Sequence, residues 1–139
     1  MTGIRTSMGI PRQGPISHGV VVIVDDDPAV GNSLKFSLEI EGFVVRFYES
    51  GMDLLNERTL SDCICLVVDQ KMPGIAGLDL IAELRDRDVT APAILITSYP
   101  NAGLARRAAG VNVPIVEKPL LNDALLDLIR NACATGNLD

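Results

Sequence analysis

The residues best suited to chemistry are carboxylates, one lysine and two hydroxyls, each standing where an apolar run ends. Asp25, Asp26 and Asp27 follow one run, Asp69 a second, Thr97 and Ser98 a third, and Glu117, Lys118 and Pro119 a fourth. Carboxylates gathered in one place repel one another, so they must take up protons, hold a cation, or both. A small set of hard oxygen ligands, with room left for waters and a phosphate, is what Mg²⁺ prefers. A lysine opposite such a set and a hydroxyl beside it suit the remaining oxygens of a phosphoryl group. Alone, each residue has a plainer reading. Aspartates cap turns, Asp69 suits a solvated loop, Thr97 can bond to backbone, and Lys118 can be a surface charge. The combination at four run ends is what points to a single phosphoryl site.

These residues converge only if the runs are strands of one sheet. Val20 to Val24 is short, β-branched and continuously apolar, as expected of a strand buried on both faces. Asp27 can cap a helix with Pro28 in its first position, and Val30, Leu34 and Leu38 then recur at i, i+4 and i+8 before Gly42 closes it. Phe43 to Phe47 reads as a second strand, followed by a short helix over Ser50 to Glu57 capped by Ser50. Ile64 to Val68 is a third buried strand ending at Asp69. After a loop with Pro73-Gly74 comes a helix with Leu78, Ile81 and Leu84 on one face. Ala93 to Ile96 is a fourth strand. A weak helix over 101–109 follows, then a fifth strand from Val113 to Val116, and a last helix burying Leu121, Leu125, Leu128 and Ile129. This alternation specifies an α/β fold, a doubly wound five-stranded parallel sheet covered on both faces. Such sheets bind ligands at the carboxyl ends of their strands, where the strand order reverses.

Composition narrows the function classes. The chain has 139 residues, 47% hydrophobic, and a formal net charge of −6, which suits one domain with a real core. Acidity argues against direct nucleic-acid binding, because phosphate backbones are held by clustered Lys and Arg. No apolar run approaches a membrane span and the N-terminus lacks a secretory h-region, so the expected compartment is the cytoplasm. Residues 1–18 carry glycines and prolines without apolar period and read as a flexible leader, with residues 19–133 as the domain and 134–139 as a short tail. The leader holds Arg5, Arg12 and no acid, leaving −8 on the rest. Cys63, Cys65 and Cys133 lack a C-x-x-C pairing and read as reduced, buried thiols. His18 is the sole histidine, so a Ser-His-Asp or Cys-His mechanism would rest on one leader residue.

The segments VVIVDDDPAV, LVVDQKMPGIAGLDL, ILITS and VEKP, in this order, resemble the receiver domain of two-component response regulators over residues 19–133. The middle segment is similar to receivers of nitrogen-fixation regulators. The resemblance implies a flavodoxin/CheY-like (βα)5 fold. It also implies that Asp69 is the phosphoacceptor, taking a phosphoryl group from the histidine of a sensor kinase. Mg²⁺ would be held by Asp26, Asp69 and the backbone carbonyl of Lys71, with Asp25 acting through a water. Lys118 would pair with phosphoryl oxygens, Thr97 would swing inward to hydrogen-bond the phosphate, and the Lys118–Pro119 bond would be cis. A carboxylate is a competent nucleophile once a metal offsets the charge of donor and acceptor. Expected partners are the kinase and a downstream protein or output domain, with a homodimer possible and no membrane. The chain would not be an enzyme beyond its own phosphorylation and dephosphorylation.

The chain also departs from that pattern. Ile115 stands where receivers usually carry an aromatic residue coupled to the threonine, and Tyr99 offers a substitute ring. The stretch from Thr97 to Lys118 is about one residue short, SYPNAGLARRAAG is a poor helix by propensity, and Pro114 suits an edge position. These departures imply a remodelled fourth-helix and fifth-strand face with an altered output. Lys71 and Tyr99 flank the path of water to the phosphoryl group, where they would tune its lifetime. Two other classes remain. A haloacid-dehalogenase-type phosphatase would use Asp25-x-Asp27 but leave Asp69 and Met72-Pro73-Gly74 unexplained. A receiver-like binding module would carry the same residues and never be phosphorylated.

Overall fold

A computed structural model describes residues 19–57, 60–120 and 123–138. The leader reading, His18 and the burial of Leu121 lie outside these residues. The elements run β1 (Val20–Val24), α1 (Pro28–Ile40), β2 (Val44–Tyr48), α2 (Gly51–Leu55), β3 (Cys63–Asp69), α3 (Gly77–Asp86), β4 (Ala93–Thr97), α4 (Ala102–Gly110), β5 (Ile115–Glu117) and α5 (Ala124–Leu138). The strands form one parallel sheet in the order β2-β1-β3-β4-β5. The order reverses beside β1, so the carboxyl ends of β1 and β3 flank the crevice where ligands of such sheets bind.

The core strands are buried on both faces because helices cover each one. Val22, Val24, Leu66, Val68 and Leu95 face one apolar layer with Leu80, Ile81 and Leu84 of α3. Val21, Ile23, Cys65, Val67, Ile94 and Ile96 face the other, with Leu38 of α1 and Leu125 and Ile129 of α5. Period-2 alternation therefore splits each continuous apolar run between two cores.

Helix starts follow the side chains expected of them. Asp27 accepts from the Ala29 N–H at 2.9 Å, with Pro28 in the first turn, and Ser50 accepts from the Asp53 N–H at 3.1 Å. Three helix ends, those of α1, α3 and α4, share one device. Beyond α1, Gly42 takes φ +99°, and its N–H and that of Phe43 return to Glu39 and Leu38 carbonyls. Asp88 (φ 64°) and Asn112 (φ 59°) do the same beyond α3 and α4, and each is followed by a valine whose N–H returns to the helix. This left-handed closure satisfies terminal carbonyls and turns an apolar side chain inward.

That closure corrects the fifth strand. Val113 is not its first residue; its N–H bonds to the Ala108 carbonyl, finishing α4, and its side chain is buried. β5 starts after Pro114, at Ile115, on the sheet edge. Nor is α4 weak. Asn101 accepts from the Leu104 N–H at 2.9 Å, Leu104 and Ala108 are buried, and Arg107 pairs with Asp79 of α3 at 3.1 Å. Capping and tertiary burial override the poor propensity of this segment. α5 continues to Leu138, through the stretch read as a tail. Leu128 is only half-buried against its layer. Cys63, Cys65 and Cys133 are free thiols; burial pushes Cys63 up to about 11 and also raises Cys65, so neither is a ready thiolate.

Candidate functional site

The four strand tips place their polar residues together. Asp25 directly follows β1, Asp69 closes β3, Thr97 closes β4, and Lys118 follows β5. Backbone bonds carry the ladder past the tips: Asp25 N–H donates to Tyr48 O, Gln70 N–H to Ile96 O, and Lys118 N–H to Thr97 O. The backbone at each of these tips is therefore tied to a neighbouring strand.

Asp25, Asp26 and Asp69 bring one carboxylate oxygen each within 4.8 Å of one another. Asp25 is fully buried and Asp69 is 4% exposed, while Asp26 is exposed. The Asp27 N–H donates to Asp25 Oδ1 at 2.9 Å. Asp25 Oδ2 is buried without a hydrogen-bond partner and faces Lys118 Nζ at 3.1 Å. Lys118 Nζ also lies 3.4 Å from Asp69 Oδ1. One ammonium thus bridges two of the three carboxyl groups, Asp25 and Asp69, and the surroundings of Asp69 raise its proton affinity. Burial and then the neighbouring Asp25 raise it to about 6, against the opposing pull of Lys118 and the backbone N–H of Lys71. Burial draws the Lys118 ammonium down, but its bonds to Asp25 and Asp69 prevail and leave it above its ordinary value.

The observed arrangement suits a divalent cation on its own terms. A buried carboxylate oxygen that accepts no hydrogen bond, two further carboxylates within reach, and an Asp69 carboxyl pushed up to about 6 by burial and by Asp25 all leave room for further positive charge beside Lys118. A family model for the response regulator receiver domain matches residues 21–130.

The chain belongs to the response regulator receiver domain family. The receiver is 34% identical over 119 residues to the C4-dicarboxylate transport transcriptional regulatory protein DctD of Pseudomonas aeruginosa, covering 85% of this chain and 26% of that protein. It is 35% identical over 111 residues to the transcriptional regulatory protein FixJ of Azorhizobium caulinodans, covering 79% and 53%. The chain therefore spans about a quarter of the one relative and half of the other. The crystal structure of FixJ-N superposes with a TM-score of 0.73 at 30% identity, covering 84% of this chain and 94% of that one. A CheY-like receiver from Methanospirillum hungatei JF-1 superposes at 0.80 over 88% of this chain and 98% of that one; at 23% identity it bears on the fold alone.

Other positions of the receiver can now be placed. Thr97 is 3% exposed, and its Oγ1 accepts from the Tyr99 N–H at 3.1 Å. The Lys118–Pro119 bond is cis. Ile115 is half-buried against the α3-side core. The Tyr99 ring is 72% exposed, and Lys71 Nζ sits 5.5 Å from its centroid. Lys71 and Tyr99 are therefore joined by a cation–π contact.

Sequence reasoning passed over two positioning residues. At Gly77 an added Cβ would stand 2.4 Å from the Asp69 carbonyl oxygen, so only glycine lets α3 start this close. The Gly77 N–H donates to Gln70 O, and Gln70 Oε1 accepts from the Leu78 N–H at 2.8 Å. Together these bonds clamp the loop after Asp69. A glycine before an apolar helix is the available signal, but it fits any helix start.

Proposed function

We propose that the chain is a phosphoacceptor module whose Asp69 takes a phosphoryl group from the histidine of a sensor kinase. The observation that carries the reading is Asp69 itself, buried at a strand tip between Lys118 and two further aspartates. Asp25, Asp26, Asp69 and the Lys71 carbonyl are the groups that would hold Mg²⁺. When bound, the ion offsets the charge of donor and acceptor and lets two anions approach.

The protein's own residues do the rest. An Asp69 oxygen forms the bond to phosphorus as the donor's P–N bond breaks, and the released imidazole nitrogen takes a proton. Lys118 Nζ, already at hydrogen-bonding range of the carboxylates, is placed to pair with the phosphoryl oxygens. Thr97 keeps a hydroxyl beside the same tip; exchanging its Tyr99 bond for a phosphoryl oxygen would couple modification to the loop after β4. The chemistry is single-turnover: the receiver carries out its own phosphorylation and dephosphorylation and processes no other substrate. It works in the cytoplasm and passes the signal to a downstream protein or output domain. No helix among the described residues is long and apolar enough to cross a membrane.

The test is incubation with a small phosphodonor and Mg²⁺ followed by intact mass measurement. The expected result is a gain of one phosphoryl group that disappears in Asp69→Asn. No gain in the folded wild type points to a binding module, and steady turnover of the donor independent of Asp69 points to a phosphatase.

A further inference from the structure

A groove of about 940 Å³ opens beside the site, between the loop after β3 and the start of α4. In a chain of net charge −6, its wall carries Lys71, Arg106 and Arg107 and no aspartate or glutamate. Arg107 is partly answered by Asp79 at 3.1 Å, on exposed surface. Lys71 touches only the Tyr99 ring, and Arg106 has no side-chain partner among the described residues. The amide oxygens of the wall are already occupied, so they do not compete as acceptors: Gln70 and Asn101 oxygens accept from Leu78 and Leu104 N–H groups. What the groove offers outward is therefore Arg106, a Lys71 that rests on the exposed Tyr99 ring without a carboxylate partner, and an apolar floor of Met72 and Leu104.

We propose that this groove docks an acidic amphipathic segment of a partner protein. Carboxylates of the segment pair with Arg106 and Lys71, and a bulky apolar side chain between them lies on Met72 and Leu104 beside Tyr99. Charge complementarity argues for this occupant. The positive end of α4, nine residues long, opens onto the same groove and adds to the attraction for carboxylates. A nucleic acid is the poorer match, because two cations without carboxylate partners on a chain of −6 cannot hold a phosphate backbone. The proposal does not depend on phosphorylation of Asp69, although the shared Tyr99 would let the two states influence each other.

The test is selection of a phage-displayed random dodecapeptide library on the unmodified chain, counter-selected on Arg106→Glu. Arg106 is exposed on α4, and a thermal melt verifies that the variant folds. The expected result is a consensus with acidic residues flanking a large apolar one. A synthetic peptide of that consensus should bind roughly tenfold or more weakly to Arg106→Glu, keep its affinity for Arg106→Lys, and lose affinity as salt rises. Its nuclear magnetic resonance shifts should centre on Met72, Tyr99 and Leu104. A consensus without acidic residues, no enrichment, or equal binding to Arg106→Glu overturns the proposal. So does tighter binding of a single-stranded oligonucleotide than of the peptide.

Discussion

Two charged groups on this sheet use similar side chains to opposite ends. Arg46 of β2 and Asp62, just before β3, form a paired contact, Nη1 to Oδ1 at 3.3 Å and Nη2 to Oδ2 at 2.5 Å, with both side chains 42% exposed. Charge there is balanced, and water solvates what remains. At the strand tips, Lys118 is shared between Asp25 and Asp69, both buried, with Asp26 alongside. The lesson is that burial and imbalance, more than the presence of ion pairs, separate a reactive cluster from a surface contact.

The sharpest way to break this comparison is Lys118→Met. It leaves two buried carboxylates facing each other and should cost about 3 kcal/mol near pH 8 in urea unfolding, as well as phosphoryl uptake. A loss below about 1 kcal/mol would put the tip cluster in the same class as Arg46–Asp62. Asp69→Asn runs the other way. The folded-state value of Asp69 is raised to about 6, so its charge is unfavourable in the fold above that pH. As pH falls from about 6 toward its unfolded value, the folded protein takes up a proton first and this group's penalty is relieved. Asp69→Asn should therefore stabilise by about 1–3 kcal/mol at pH 8, with the gain fading toward pH 4.

Protons and metal compete for the same oxygen. The apparent Mg²⁺ affinity should drop by roughly tenfold per pH unit below about pH 6 and level off above it. Titration calorimetry is the suitable measurement, since the chain has no tryptophan to report binding. The smallest effect is expected at the balanced pair. Asp62→Asn should cost no more than about 0.5–1 kcal/mol, and less in high salt, by thermal unfolding.

Much of this fold is legible one residue at a time. Continuous β-branched runs mean buried strands, Asp27-Pro28 means a helix start, and Gly42 means a helix stop; each signal acts over a few residues of backbone. The fourth helix and fifth strand were harder to read, for a non-local reason. Arg107 meets Asp79 from a different helix, and Val113 follows Asn112 into a helix closure that propensity does not encode. Within the site, the strand-end rule brings Asp25, Asp69, Thr97 and Lys118 to one edge. It does not say that Lys118 lies nearer Asp25 than Asp69, that Asp25 Oδ2 accepts no hydrogen bond, or that Lys71 rests on Tyr99.

By itself, the order of residues determined the alternating elements, the two-sided core and which chemical groups end each strand, because those follow from local sterics and hydrophobic period. Only the tertiary structure decided how strongly those groups act on one another. Charge interaction depends on separation and on exclusion of water, and both arise when β1, β3 and β5 are brought to one edge and covered. The raised proton affinity of Asp69 and the cationic groove beside it come from that packing.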